Sequence, residues 1–371
     1  MSKIKVPYVN LSLQWAQERK ELLPIIDRVL TKDNWIGGRE IEKFESKIAT
    51  YTNTKYAVAL NSGTDALTLG LHVLGIQPGD EVITPPNSFI ASTAVIVHLG
   101  AKPIFVDVKE DQNIDPVLIE KSITRKTKAI MPVHLTGRIA DMHPIMEISK
   151  KYGIPIIEDA AQSIGSLYYK KPAGSFGLIG CFSAHPLKNL NAIGDAGYLT
   201  TNNKEIYIKV KDLSNHGMTN RTRINQFGFV SRMDNIQATI LNFRLKNLKK
   251  VIKLRRKNVE HYNRYLNKNY IFIPGEKKYE FNTYHTFVVQ VSRRRDELKN
   301  FLLKNGINTA IHYPIPIHLQ PASKKLNYKV GDFIIAEDQA NKILTLPIHQ
   351  NLNQKTIKRI SDLINYFFTT I

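Results

Sequence analysis

A chain of 371 residues with 43% hydrophobic content can bury one large core and a smaller second one, which excludes a disordered or fibrous protein. No run approaches the ~18 consecutive apolar residues of a membrane span, and the start Met1-Ser2-Lys3-Ile4-Lys5-Val6-Pro7 lacks the apolar segment of a signal peptide, so a cytoplasmic protein with no membrane partner is expected. The formal charge of +20 suits a phosphate-bearing partner, but the clusters Lys246 to Lys257 and Arg293-Arg294-Arg295 carry no helix-turn-helix, zinc-finger or RNA-binding signature; a lysine-biased surface that steers a small anionic substrate is expected, not a nucleic-acid binder.

Along the chain, an extended start leads into a helical pattern from Ala16 to Leu30, with Leu22, Leu23, Ile26 and Leu30 at helical spacing. Trp35-Ile36-Gly37-Gly38 breaks it, and a second helix is predicted over Ile41 to Thr50. Tyr56 to Leu60 reads as a buried strand that runs into Asn61-Ser62-Gly63-Thr64-Asp65-Ala66-Leu67 and a helix to Leu74. A strand, a turn of small residues and a helix start make an anion site, because free backbone N–H groups and the helix dipole both favour negative charge. The same residues also suit an ordinary cap on Ser62 or Thr64.

The alternation continues with strands over 81–84, 103–108, 129–134 and 154–159, and with helices over 88–99, 116–123 and 142–152. Units of this length predict a mainly parallel sheet covered on both faces, with ligands at the carboxyl ends of its strands. Two more strands flank a polar loop between Cys181 and Thr201, and that loop holds Lys188. A lysine beside desolvated surface loses its proton more easily and can add to a carbonyl as a Schiff base; a solvated loop lysine would look the same in this stretch. Cys181, the single cysteine, allows no internal disulfide and no thiolate metal cage, and no metal is expected.

Beyond Thr201 the pattern predicts a helix over 205–214, a polar loop over 215–232 and one long amphipathic helix from Asp234 to about Leu266. A strand over 287–291 and helices over 297–305 and 352–368 then suggest a small α+β domain. Asp159 ends an apolar strand, where a buried acid needs a cationic partner or acts as a helix cap. Together, a strand-end acid, a phosphate-type turn at Gly63-Thr64 and the loop Lys188 are what a pyridoxal phosphate enzyme requires.

The ordered set Asn61-Ser-Gly-Thr-Asp-Ala-Leu67, Pro85-Pro-Asn-Ser-Phe-Ile-Ala-Ser92, Glu158-Asp-Ala-Ala-Gln-Ser163 and Phe182-Ser-Ala-His-Pro-Leu-Lys-Asn189 with Gly194-Asp-Ala-Gly197 resembles the DegT/StrS family of sugar aminotransferases, over roughly residues 5 to 370. The resemblance implies an α/β protein of the aspartate aminotransferase fold (fold type I). Residues 1–250 would form the large cofactor domain and 251–371 the small one, in a homodimer with shared active sites.

Carried over to this sequence, the resemblance implies pyridoxal 5'-phosphate bound to Lys188 as an internal aldimine, with that amine later moving the proton. Asp159 would face the pyridine nitrogen, Gly63, Thr64 and Ser183 the phosphate, Phe89 the ring face and Gln162 the ring hydroxyl. His185, His312, Tyr313 and His318 are candidate substrate contacts. One departure concerns Gly228-Phe229-Val230-Ser231-Arg232: relatives carry an Asn that reaches the partner subunit's cofactor phosphate where this chain has Val230, and Asn225 is the first choice of replacement, ahead of Ser231 and Asn220. The implied reaction moves an amino group from an amino acid, glutamate being expected, to a nucleotide-linked keto sugar, leaning to C3 of a dTDP- or UDP-linked keto-deoxysugar. A keto-inositol aminotransferase and a non-catalytic regulatory protein of the same fold are the alternatives.

Overall fold

The computed structural model describes residues 4–32, 35–220 and 222–370; the outer limits of the two expected domains, residues 1 and 371, and Arg221 lie outside them. Helices α1 (Leu11–Leu30) and α2 (Arg39–Tyr51) lead to β1 (Tyr56–Leu60) and α3 (Gly63–Val73). Then follow β2 (Glu81–Thr84), α4 (Ala91–His98), β3 (Lys102–Phe105), α5 (Pro116–Lys121) and β4 (Thr127–Ile130). Next come α6 (Met142–Tyr152), β5 (Ile157–Asp159), the short strands β6 (Leu167–Tyr168) and β7 (Lys171–Pro172), and the pair β8 (Ile179–Ser183) and β9 (Gly197–Thr201).

Among the described residues the main sheet has the strand order β3-β2-β4-β5-β8-β9-β1, its two ladders joined by parallel bridges from Ile130 to Ile156 and from Val133 to Asp159. Only β9 runs against its neighbours, because it follows β8 through a loop that contains no crossover helix. The strands are apolar on both sides and supply two cores in alternation. Ala57, Ala59, Ile83, Ile130, Phe182 and Tyr198 pack towards α2, α6 and later helices, whereas Val58, Leu60, Val82, Ala129, Cys181 and Leu199 pack towards α3 and α4.

After α7 (Lys204–Ser214), the stretch predicted as a polar loop contains a hairpin, β10 (Met218–Asn220) and β11 (Arg223–Ile224). The predicted single long helix is two, α8 (Asn235–Leu245) and α9 (Leu248–Tyr265). At the break, Lys246 and Asn247 donate to carbonyls three residues back and Asn247 sits at φ −100°, ψ −2°, which ends regular α geometry.

The third core is built from α9, β12 (Ile271–Phe272), β14 (Phe287–Val291), α10 (Arg295–Lys304), β15 (Ile343–Leu346) and α11 (Gln354–Thr370), while β13 (Glu280–Phe281) pairs with β6 instead. Ile252 packs with the first core and Val259 with the third, so α9 spans both. The N-terminal segment crosses to this third core as well: Lys5 and Val6 donate to the Gly306 carbonyl, Val6 accepts from Asn308, and Val6 pairs in parallel with Ile307.

Candidate active site

The turn after β1 lies on the end of the β8–β9 pair, and glycines make that approach possible. A Cβ on Gly197 would stand 2.2 Å from the carbonyl carbon of Ser62, and one on Gly63 2.7 Å from the Ser183 Cβ. Ser183 faces Gly197 in the strand register. The Ser62 side chain and carbonyl take the N–H groups of Asp65 and Ala66, leaving those of Gly63 and Thr64 without partners among the described residues. Free N–H groups at a helix start and the Ser183 hydroxyl thus meet in a cradle suited to a phosphate.

Asp159 ends β5 and is 4% exposed. Its Oδ1 accepts the Ala161 N–H at 3.2 Å and its Oδ2 accepts the Ser92 hydroxyl at 2.6 Å, and Ser92 pairs in turn with Ser88. The preceding Glu158 points the other way, as strand alternation requires. It accepts backbone N–H groups of Gly174, Phe176 and Gly177, each at 2.7 Å, and lies 2.9 Å from His134 Nε2. Because His134 Nδ1 accepts from Ala140 N, the ring proton sits on Nε2 and donates to Glu158. The result is a fully hydrogen-bonded acid that fixes the strand end carrying Asp159. Neither Ser92 nor the Glu158–His134 pair is singled out by sequence; the one signal is that Ser92 and Glu158 lie inside the two motifs that carry Phe89 and Asp159, while His134 lies outside both.

Burial lowers the Lys188 pKa to about 8, with the Asp159 carboxylate pulling it back up. Tyr313 is placed against the same acid: burial first and Asp159 second push its phenol up, and Gln162 hydrogen-bonds to it. Gln162 also accepts from the Thr136 N–H at 2.9 Å. The Phe89 ring is half exposed and its centroid lies 6.0 Å from that of Tyr313, leaving a face open for stacking. His312 bonds Thr345 Oγ1 through Nδ1 at 2.9 Å, and burial, then Lys188, lower its pKa to about 4, so it is neutral at pH 7. His185 is exposed, with Nδ1 accepting from the Leu187 N–H; burial and then Lys188 lower its pKa against the pull of Asp195.

Two expected site residues are not brought into this group. His318 is 2% exposed, packs against Phe105 and Phe333, and holds Glu337 at 3.0 Å; its ring belongs to a side core and not to the cleft. Asn225 sits just beyond the exposed hairpin, where its amide donates to Thr219 and accepts from Arg223. The other candidate replacements are engaged too. Ser231 is buried and donates to Asp65 at 2.7 Å, and Asn220 accepts from the backbone of Thr222 and Arg223. Val230 itself is 60% exposed. Among the described residues no cluster of His, Cys, Asp or Glu could hold a metal, and no helix is long and apolar enough to cross a membrane.

The donors and acceptors present fit pyridoxal phosphate: a cradle of free N–H groups for the phosphate, a fixed carboxylate for a ring nitrogen, an open aromatic face, and an amine shifted towards its neutral form. On this sheet they define a pyridoxal-phosphate-dependent transferase of fold type I. The chain belongs to the DegT/DnrJ/EryC1/StrS aminotransferase family, whose model matches residues 16–365.

It is 37% identical over 362 residues to the dTDP-3-amino-3,4,6-trideoxy-alpha-D-glucose transaminase of Streptomyces venezuelae, covering 97% of this chain and 95% of that one. It is equally 37% identical, over 369 residues, to a pleiotropic regulatory protein of Geobacillus stearothermophilus, covering 98% and 99%. Among solved structures, S. venezuelae DesV in complex with a ketimine intermediate superposes with a TM-score of 0.95 at 36% identity over 99% of both chains. NtdA of Bacillus subtilis with bound cofactor PMP gives a TM-score of 0.87 at 31% identity, over 98% of this chain and 86% of that one.

Proposed function

We propose that the enzyme moves an amino group from glutamate to the C3 ketone of a dTDP- or UDP-linked keto sugar. The observation that carries this is the amine of Lys188, whose pKa burial lowers to about 8 within the field of the fixed Asp159 carboxylate. The S. venezuelae transaminase, whose product name places the amine at C3, supports the choice of substrate.

When bound, pyridoxal phosphate supplies a reactive carbonyl and an electron-withdrawing ring. Gly63, Thr64 and Ser183 would hold its phosphate, Asp159 a protonated ring nitrogen, and Phe89 and Gln162 the ring face and hydroxyl. Lys188, as a neutral amine, takes the proton from Cα of the donor and delivers one to C3 of the sugar. Ser92 orients Asp159 by donating to one oxygen, and Glu158 with His134 holds the strand end still. His185, neutral His312 and Tyr313 stand at the cleft to orient the sugar.

In our proposal the working unit is a cytoplasmic homodimer of chains divided into a cofactor domain, residues 1–250, and a small domain, residues 251–371. Support for the dimer comes from the apolar surface around the hairpin, where Phe227 is fully exposed and Ile224 and Phe229 are also open. From there Asn225 would reach the partner's cofactor phosphate in place of Val230. The deciding experiment incubates the protein and glutamate with keto-sugar nucleotides and keto-inositols and reads 2-oxoglutarate. Release with a 3-keto sugar nucleotide is expected. Preference for a keto-inositol moves the substrate class, and no release with any ketone favours a non-catalytic protein.

A further inference from the structure

The cavity that holds Lys188 adjoins a second one, and the two share Val9, Leu187, Arg255 and His349. Arg255 is 5% exposed. Its Nη1 donates to the carbonyls of Tyr284 and His285, both at 3.1 Å, while its Nε has no partner. The other arginines buried in this part of the molecule are neutralised: Arg138 by Glu280 at 2.6 Å and Arg244, in the same cavity, by Glu18 at 2.7 Å. Arg255 has no such carboxylate among the described residues. An unpaired charge away from water is costly, so a protein that keeps one on the wall of the cavity lined by Lys188 needs an anion from outside.

The surroundings strengthen that need. His285 is pushed well down by burial, by Lys188 and by Arg255, so it feels both cations at once. Burial lowers the Arg255 pKa to about 10, with Tyr8 as the opposing group, which leaves the guanidinium charged at neutral pH. Each cavity has about 30 Å³ of space, enough for about two water-sized oxygens. That is the size of one carboxylate and too small for a diphosphate.

We infer that Arg255, on the wall of the cavity it shares with Lys188, anchors a carboxylate of the amino-acid donor through its guanidinium, whose Nε is left without a partner. The inference rests on the aminotransferase function proposed above and adds the residue that selects its donor. The sugar nucleotide, whose diphosphate does not fit this space, binds elsewhere in the cleft.

The test uses glutarate, a dicarboxylate with no amine, titrated into the holoenzyme. Its Kd is expected to rise about 10- to 100-fold in Arg255→Gln, the loss of one charge-assisted bond, and less in Arg255→Lys. The KM for glutamate should rise alongside, with UDP affinity unchanged. Should the Gln variant fail to fold, the Nε–H resonance of Arg255 in the wild-type holoenzyme must shift on adding glutarate. An unchanged glutarate Kd in a folded variant, a silent Nε–H resonance, or a loss of UDP binding in place of glutarate binding overturns the assignment. Arg255-dependent glutarate binding with no 2-oxoglutarate formed from glutamate would keep the carboxylate site and remove the proposed reaction.

Discussion

At pH 7 a lysine of ordinary pKa is a free amine in ~1 of 3,000 molecules, whereas one at about 8 is free in ~1 of 10. The protein therefore gains most of the nucleophile it needs from where Lys188 is placed. In the apoprotein, reaction of Lys188 with an added aldehyde should rise to half its plateau near pH 8, and Lys188→Ala should abolish it; a midpoint above pH 10 would show a solvated amine. The sign for stability follows from the same lowered pKa. Between about 8 and 10.5 the unfolded lysine keeps a proton that the folded one has lost, so apoprotein stability should climb with pH across that window as the cost of the buried cation disappears. Asp159→Asn should lower kcat at least ~100-fold while shifting Tm by only a few degrees, since an amide keeps the Ser92 bond but cannot balance a positive ring nitrogen; near-normal kcat would remove Asp159 from the reaction. Asp159 and Lys188 could be singled out in the sequence because a strand-end acid and a lysine between two strands are residue types this chemistry uses, and Ser183 only through the family resemblance. The burial of His318 could not be read there, because it depends on Phe105, Phe333 and Glu337 arriving from elsewhere. Arg255 was hidden among basic neighbours on one helix, where only burial tells it from the solvated ones.

The element that most constrains the site is the contact of the β1–α3 turn with the β8–β9 strand ends. Gly197→Ala should force Ser62 and Gly63 off the strand pair, destabilising the fold by ~1–3 kcal/mol as overpacking does and weakening cofactor retention as well. Measuring Tm and pyridoxal phosphate affinity together tests this, and a variant with both unchanged would mean that the turn does not depend on that glycine. Most elements of the large sheet could be read in advance because their strands are short, apolar on both faces and separated by helices of regular period. The reversed direction of β9 could not, since nothing in its residues marks orientation. The long helix predicted across Lys246 and Asn247 was misjudged because the apolar period runs through the break. The two-residue strands β12 and β13 carry too few residues for any period, and their partners lie far off in sequence.

For the whole molecule, the apolar surface of the hairpin region sets the expected assembly. Phe227→Asp combined with Ile224→Asp should yield monomers by sedimentation and lower cofactor affinity, with the protomer fold retained by circular dichroism. A double variant that stays dimeric would move the interface elsewhere. Asn225→Ala should weaken pyridoxal phosphate binding if that side chain crosses to the partner, and Val230→Asn should strengthen it; no change in either would end the exchange of one donor for another. Assembly was the scale least legible in the sequence, because an exposed aromatic and a buried one read alike until the chain is folded. The pairing of Val6 with Ile307 also bears on how the protein is made. On the ribosome the segment that completes the third core emerges about three hundred residues ahead of its partner. The large sheet can close while that end is still loose, and the third core is sealed only after Ile307 has emerged. A nascent chain stalled before Ile307 should therefore expose Val6 to protease, and release of the full chain should protect it.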